Sequence, residues 1–203
     1  MVMVPAGDSD IERLVRLDAD PAVMQFINGG LPSTPDDVTH RIRAADGWLF
    51  VATERSTSAF VGWFSICRSS STERELGYRL GRKHWGLGLA TEGASAVIQQ
   101  AFADTGVDRV WAQTMTVNTA SRRVMERCGL TYVRTFFDQW PGGPIDGSEH
   151  GDDEYAIRRR AFLAVSEVAA AAVSARSPSG ALPDDAHASM PDCPGPAVDR
   201  PPR

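Results

Sequence analysis

The chain is poor in cysteine, and its cysteines are widely separated. There are three of them, Cys67, Cys128 and Cys193. Their odd number and the absence of any C-x-x-C pair argue against a disulfide framework or a zinc site. The histidines His40, His150 and His187 lie at no metal-ligand or triad spacing, so we expect no metal centre. Such cysteine usage suits a reducing, cytoplasmic environment.

The sequence also lacks an excess of positive charge and a long apolar run. Lys plus Arg total 21 against 26 Asp plus Glu, a formal net charge of -5, so we expect no chain-wide attraction to nucleic acid or anionic lipid. The nearest approach to a membrane span, Leu163–Ser174, is short and contains Glu167. Residues 1–10 have neither the basic nor the apolar region of a secretory signal. We therefore expect a soluble protein whose partner is a small molecule or another protein.

Aromatic residues are absent after Phe162, although that segment holds seven of the 13 prolines. A segment of this composition cannot bury a core of its own. The sequence therefore predicts one folded domain at residues 1–162, followed at residues 163–203 by an alanine-rich extension and a disordered, proline-rich tail.

Helix and strand patterns alternate within residues 1–162. Ser9 with Glu12 matches a capping box, and Asp20-Pro21 and Thr34-Pro35 each place a capping residue before a proline, which predicts three short helices. Three segments rich in β-forming residues then predict antiparallel strands at Trp48–Thr53, Phe60–Cys67 and Glu73–Leu80. A helix ending near Gly106, a strand at Asp108–Val117, a helix closed by Gly129 and strands at Tyr132–Trp140 and Glu154–Arg160 complete the order. This order predicts an α+β, or mixed α/β, fold.

The strand at Glu73–Leu80 leads into a glycine-containing loop that opens a helix, an arrangement that favours phosphate binding by backbone N–H groups. Gly81 and Gly86 have P-loop spacing, but Leu87 and Gly88 stand where Lys and Ser or Thr are required. A dinucleotide fingerprint also fails, because Thr91 occupies its last position. A third pattern, [Q/R]-x-x-G-x-[G/A], fits residues 83–88.

That loop and a second motif resemble the GNAT acetyltransferase superfamily, and in particular its RimJ/RimL-like branch. The second motif is Asn118-x-x-Ser121 followed by an amphipathic helix, and Asp20–Met24 is also similar to that branch. The resemblance covers about residues 8–162. Lys83, at the first loop position, departs from the usual Gln or Arg and loses the planar fork of arginine. The first strand is shortened to Val2–Val4.

The resemblance implies a twisted, mostly antiparallel sheet of about six to seven strands flanked by helices. It implies acetyl-CoA as cosubstrate and an N-acetyltransferase acting on a primary amine. His84 would cover the cofactor, and Asn118 would either bond pantetheine or cap a helix. The cofactor-binding set is Tyr78, Leu80, Lys83, His84, Trp85, Gly86, Leu87, Gly88, Leu89, Ala90, Thr91 and Asn118.

The resemblance also places two residues beside the reacting groups. Glu75 would remove a proton from the amine through water, although an ordinary surface glutamate is the alternative. Ser121 would offer its hydroxyl to the departing sulfur, with simple first-turn helix stabilisation as the alternative. Cys128 shares a helix face with Val124, which favours a buried thiol and hence direct transfer in a ternary complex.

The acceptor side is open at this stage. Residues 135–157 contain six acids and no Lys or Arg, which would favour a cationic amine unless they form only a solvated loop. The acids are Asp138, Asp146, Glu149, Asp152, Asp153 and Glu154. Residues 28–34 are the other segment that could border the site of the acceptor amine. Similar proteins acetylate protein N-termini, free amines or aminoglycosides, and often form homodimers. A non-catalytic acyl-CoA-binding module and a nucleotide-binding protein are the alternative functions.

Overall fold

The computed structural model describes residues 1–137, 140, 143–164 and 167, so most of the predicted extension and tail lies outside the described residues. Within these ranges no helix is both long and apolar enough to cross a membrane. The strands are β1 (Val2–Pro5), β2 (Leu49–Thr53), β3 (Phe60–Arg68), β4 (Glu73–Leu80), β5 (Arg109–Met115), β6 (Thr131–Phe136) and β7 (Asp152–Arg158). The helices are α1 (Ile11–Asp18), α2 (Pro21–Asn28), α3 (Pro35–Ala44), α4 (Leu89–Ala103) and α5 (Thr119–Arg127).

The seven strands form one sheet in the order β1-β2-β3-β4-β5-β7-β6. Every neighbouring pair is antiparallel except β4 and β5, which are parallel and are connected through α4. The predicted α+β fold with a mostly antiparallel sheet is therefore confirmed. The short first strand is present and pairs with β2 at the sheet edge.

Local capping chemistry explains how two of the first three helices begin. The Asp20 carboxylate accepts from the N–H of Ala22 at 3.1 Å, and Thr34 forms a reciprocal capping box with Asp37. The predicted Ser9–Glu12 capping box is wrong. A 3₁₀ turn at Asp8–Asp10 precedes α1, and the Asp10 carboxylate accepts from the N–H of Gly7 at 2.8 Å. Ser9 therefore lies inside that turn, and α1 has no side-chain cap.

β6 is shorter than the sequence pattern predicts, and β7 begins and ends two residues earlier than predicted. β6 ends at Phe136, and β7 ends at Arg158 because the chain is helical from residue 159 to 164. The Arg159 guanidinium donates to the carbonyl oxygens of Val107 and Phe102 at 2.7 and 2.8 Å, respectively. These bonds draw the chain off the sheet and onto the end of α4.

The sheet has a core on each face. α4 and α5 cover one face, where Phe64, Ile98 and Met125 are buried, while α1 and α3 cover the other, where Leu14, Val38 and Trp63 are buried. The approach of α4 is closest at Gly93, where a Cβ atom would lie 2.2 Å from the Phe64 ring. Glycine at this position therefore lets α4 lie against the sheet, next to the glycine-containing loop between β4 and α4.

Candidate active site

The parallel strands β4 and β5 separate along their length. They pair only where Glu73–Glu75 lies beside Arg109–Trp111, whereas β4 keeps its pairing with β3 up to Leu80. Residues 76–80 of β4 therefore have one edge without a strand partner. Such an edge presents backbone hydrogen-bonding groups to an extended ligand.

The loop after β4 is open on its outer side. Gly86 and Gly88 have φ angles of +74° and +79°, and a Cβ atom on either would meet nothing within 4 Å. The first N–H to bond within α4 belongs to Glu92, which donates to Gly88 O at 3.0 Å. Within the part of the chain that the structure describes, the N–H groups of residues 86–91 have no protein acceptor. The loop thus fits a phosphate group placed at the start of the α4 dipole.

Two side chains of this loop anchor it to the ends of β3 and β4. Trp85 donates its indole N–H to Leu80 O at 2.8 Å, and the His84 ring is buried with Nε2–H donating to Phe60 O at 3.0 Å. His84 Nδ1 lies 3.5 Å from Glu54 Oε1. The His84 ring therefore packs against the chain at the β2–β3 turn and anchors the loop there.

The other residues predicted to bind the cofactor differ in how exposed their side chains are. Leu80 buries its side chain in the core, whereas Leu87 is 65% exposed. Lys83 is exposed and has no ion-pair partner among the described residues, while its neighbour Arg82 binds Asp20 at 2.7 Å. The ammonium group of Lys83 is thus available to an anion. Leu89, Ala90 and Thr91 form the first turn of α4.

Asn118 and Ser121 open α5 on the other side of the gap. The Asn118 side-chain oxygen accepts from Ser121 N–H at 3.1 Å, so the residue caps the helix. Its amide nitrogen has no protein acceptor within the described residues, so capping and ligand binding are compatible. The Ser121 hydroxyl lies 2.8 Å from the phenolic oxygen of Tyr78, which links α5 to β4.

Glu75 is half-buried, and burial raises the pKa of its carboxyl. The nearby Arg109 guanidinium binds Glu73 and Glu154 instead, and Glu75 has no ion-pair partner within the described ranges. A carboxylate in these surroundings has a higher affinity for a proton than one in water. The site therefore holds a basic group that no cation of the described residues neutralises.

Glu75 and Ser121 lie on opposite faces of the sheet. Side chains alternate along a strand, so Glu75 and Tyr78 of β4 project to different faces. Cys67, the cross-strand partner of Glu75, packs with α1 and α3, while Tyr78 packs with α4 and binds Ser121. The gap between β4 and β5 is thus flanked by a carboxyl group on one face and a hydroxyl group on the other.

An arginine that sequence reasoning missed fixes the segment carrying Asn118 and Ser121. Arg122 donates to Tyr155 OH and to Thr116 O, each at 3.1 Å, and lies 3.1 Å from Asp153 Oδ2. These bonds join the start of α5 to β7. The only sequence signal was its place directly after Ser121.

Two acids of the predicted acidic patch form ion pairs with arginines within the protein. Asp153 binds Arg122, and Glu154 binds Arg109 and Arg134. The arginine charges and hydrogen bonds outweigh the effect of burial and hold the pKa of Glu154 below its usual value. Asp138 lies outside the described residues. These pairs reduce the attraction for a cationic acceptor that the sequence count suggested.

The α2–α3 and β6–β7 loops are in contact with each other. A Cβ atom on Gly29 would lie 3.0 Å from Ile145 Cγ2. Asn28 holds its own loop, since its side chain both donates to Leu31 O and accepts from Leu31 N–H at 3.0 Å. Residues 28–34 therefore contact the β6–β7 loop, and their place beside the acceptor amine stays a prediction.

A buried ion cluster supports the carboxyl face near the end of β4. Asp18 is fully buried and binds Arg41 and Arg79, each at 2.5 Å. Burial raises the pKa of Asp18, but the two guanidinium groups outweigh it and hold the pKa below the usual 3.8. Both guanidinium groups also lie over the ring of Trp63. The cluster ties α1 and α3 to β4.

We expect Asp18→Asn to lower the free energy of unfolding by about 3–5 kcal/mol at pH 7, because two buried guanidinium groups lose their counter-charge. A carboxyl whose pKa is lower in the folded state stabilises above its unfolded pKa and loses that effect as pH falls through the folded value. The deficit of the variant should therefore shrink below pH 3.8. Urea unfolding of both proteins across pH measures this, with Glu12→Gln, in an exposed pair with Arg16, as a near-neutral control. An equal deficit at all pH values would contradict it.

The family model described as acetyltransferase (GNAT) domain matches residues 1–131, and the chain belongs to this family. The FsC-acetyl coenzyme A-N(2)-transacetylase of Aspergillus fumigatus is 36% identical over 180 residues, covering 79% of this chain and 74% of the relative. The protein is thus an acetyl-CoA-dependent acyltransferase of the N-acetyltransferase class.

Solved structures of the family share the fold. A GNAT acetyltransferase from Bacillus anthracis has a TM-score of 0.64 at 23% identity, covering 78% of this chain and 94% of the other. Spermidine N-acetyltransferase from Vibrio cholerae, in complex with CoA and spermine, has a TM-score of 0.67 at 13% identity, covering 80% and 97%. The predicted membership of the GNAT superfamily is confirmed.

Proposed function

We propose that the protein transfers the acetyl group of acetyl-CoA to a primary amine, of a small molecule or a protein N-terminus, by direct attack in a ternary complex. The observation that carries this proposal is the placement of Glu75 and Ser121 on opposite faces of the β4–β5 gap. An amine can then approach the thioester from one face while the sulfur departs on the other.

The loop and the free edge of β4 would hold acetyl-CoA. The N–H groups of residues 86–91 and the ammonium of Lys83 supply donors and charge for the pyrophosphate. Residues 76–80 of β4 offer backbone groups to pantetheine, and one N–H directed at the thioester oxygen would stabilise the developing negative charge by about 3 kcal/mol. Asn118 offers its amide nitrogen, which has no acceptor among the described residues, from the other side of the gap.

Glu75 is assigned to proton removal. A primary ammonium group must lose a proton before it attacks, and a base works best when its pKa approaches the working pH. Burial raises the pKa of Glu75 in that direction. Since this carboxylate has no protein counter-ion among the described residues, it also attracts a cationic amine to the face that it occupies.

Ser121 is assigned to the leaving group, and Cys67 and Cys128 carry no acyl group in this mechanism. Burial raises the thiol pKa of both Cys128 and Cys67. The Cys128 thiol donates to Thr91 O at 3.7 Å, within the packing of α4 against α5. A protonated, hydrogen-bonded thiol is a poor nucleophile, so direct transfer requires fewer assumptions than an acetyl-enzyme.

The names of related proteins support nitrogen as the acceptor atom. The Aspergillus fumigatus relative is named for transfer to N(2) of FsC, and the Vibrio cholerae structure is named as a spermidine N-acetyltransferase. We extend this acceptor chemistry to the present chain. Within the family, the motif Asn118-x-x-Ser121 supports the RimJ/RimL-like branch, and a homodimer remains an expectation of that resemblance.

The test is a screen of amines with acetyl-CoA, comprising polyamines, small amines and peptides with free N-termini. We expect thiol release together with a mass gain of one acetyl group on an acceptor. The same acceptor with its amine already acetylated is the matched control and should give no thiol release. Binding of acetyl-CoA without acetylation of any amine would favour the non-catalytic module. A thermal shift with ATP and none with acetyl-CoA would favour a nucleotide-binding protein.

A further inference from the structure

The phenolic oxygen of Tyr78 lies against two oxygens of Ser121. It is 2.8 Å from the hydroxyl oxygen and 3.1 Å from the carbonyl oxygen of that residue. The ring of Tyr78 is packed beside Phe64, with 6.4 Å between the ring centroids. The contact joins the first turn of α5 to the part of β4 that no longer pairs with β5.

The hydroxyl groups of Tyr78 and Ser121 have two hydrogens for three oxygens, namely their own two and the carbonyl oxygen of Ser121. The hydrogen bonds among these atoms can therefore be arranged in two ways. In the first, Tyr78 donates to Ser121 O, and Ser121 donates back to the phenolic oxygen. In the second, Tyr78 donates to Ser121 Oγ, and the hydrogen of Ser121 is free to point elsewhere. Only the second arrangement leaves a serine hydrogen for another acceptor.

We propose that Tyr78 is a positioning residue that donates its phenolic hydrogen to Ser121 Oγ and thereby directs the hydroxyl hydrogen of Ser121 toward the departing sulfur. This inference rests on the proposed function, because it requires that Ser121 acts on the leaving group. The carbonyl oxygen of Ser121 does not need the phenol, since a helix supplies an N–H donor four residues along the chain.

Tyr78 keeps its proton throughout the reaction. Burial raises the pKa of Tyr78 far above its usual value of 10.0, and the Ser121 hydrogen bond lowers it by less. A tyrosinate at this position would be a buried, unpaired charge. Tyr78 therefore orients Ser121 and does not serve as the proton source.

The proton balance then closes without the phenol. The amine nitrogen bonds to the thioester carbon, the C–S bond breaks, and the electron pair goes to sulfur. The nitrogen loses two protons through Glu75 and water. Sulfur takes one proton from Ser121 Oγ, Ser121 regains one from water, and the remaining proton leaves to solvent.

The experiment is a double-variant cycle of Tyr78→Phe, Ser121→Ala and the two combined, assayed by thiol release. We expect Tyr78→Phe to lower kcat by about tenfold, the size of one hydrogen bond in the transition state, with a KM for acetyl-CoA within about twofold of wild type. In the Ser121→Ala background, Tyr78→Phe should cause no further loss. Tyr132→Phe, which removes an exposed phenol bonded to Thr135 on β6, is the matched control with wild-type kcat.

A pH series supplies a second readout that a purely structural role would not change. Above the pKa of an alkyl thiol, about 8.5, the thiolate leaves without a proton, so the deficits of Tyr78→Phe and Ser121→Ala should both shrink as pH rises. Thermal melting establishes that each variant is folded. The kcat values are then compared only among variants whose melting curves match that of the wild type.

The outcomes separate the inference from the proposed function. If Ser121→Ala lowers kcat and Tyr78→Phe does not, the positioning role is wrong and the proposed function stands. Multiplicative losses in the double variant would also overturn the inference, because Tyr78 would act independently of Ser121. If Ser121→Ala has wild-type kcat, the role of Ser121 is wrong and the inference fails with it.

Discussion

Glu75→Gln is expected to lower kcat by about 10²–10⁴-fold, the usual contribution of a positioned general base. The amide has almost the same shape as the carboxylate but cannot take a proton from the amine. Since Glu75 lies away from the open loop, the affinity for acetyl-CoA should change little. Thiol-release kinetics and calorimetric titration with CoA measure the two quantities separately.

Glu73→Gln is the matched control for that variant. Glu73 is on the same strand and the same face of the sheet, two residues before Glu75, and it pairs with Arg109 at 3.4 Å. It should retain wild-type kcat, because the gap between the strands opens only after Glu75. If both variants keep full activity, another group removes the amine proton.

The pH dependence provides a further check on Glu75. A base acts in its deprotonated form, so kcat/KM should rise with pH as Glu75 ionises. Because burial raises the pKa of Glu75, this rise should lie above the usual glutamate value of 4.5. Glu75→Gln should lose this limb of the profile while keeping the limb set by the acceptor amine.

The parts of the site that could be predicted from the sequence are those fixed by nearby residues. Gly86 and Gly88 mark the loop because both have positive φ, and Asp20 marks the start of α2 because its side chain caps its own helix. Such features depend on a few consecutive residues. The predicted Ser9–Glu12 capping box was wrong because another local interaction forms instead. The Asp10 carboxylate accepts from the Gly7 N–H and closes a tighter turn before α1.

The features that sequence reasoning missed depend on contacts between distant segments. The opposition of Glu75 and Ser121 requires β4 and β5 to separate after three paired residues. The Tyr78–Ser121 bond joins residues 43 positions apart, and the pairing of Glu154 with Arg109 joins residues 45 apart. Neither the count of acids nor the loop motif contains this information.

His84 shows the same limit within the loop itself. Its position beside Trp85 suggested a residue that covers the cofactor. Its ring is instead buried against Phe60, the first residue of β3, and Glu54, in the β2–β3 turn. The sequence gives the position of a side chain along the loop, whereas the packing of a neighbouring hairpin decides which side it faces. The His84 N–H is also bonded, to Gly81 O at 2.9 Å, so the backbone donors proposed for the cofactor begin at Gly86.

Gly88→Trp is expected to weaken acetyl-CoA binding by about 10²-fold or more. The indole would fill the open space above the loop, and charge-assisted hydrogen bonds to backbone N–H groups, each worth about 1.5–3 kcal/mol, would be lost. A non-glycine residue at a φ of +79° adds backbone strain of about 1–2 kcal/mol. Calorimetric titration with CoA measures the loss.

Gly47→Trp separates the steric block from the backbone strain. Gly47 has a φ of +80° and, like Gly88, open space around a built Cβ, but it lies between α3 and β2, away from the loop. It should lose stability by a similar amount and keep wild-type affinity for CoA. If Gly88→Trp also kept that affinity, the pyrophosphate would have to bind elsewhere, and the roles given to Lys83 and to the N–H groups of residues 86–91 would be wrong.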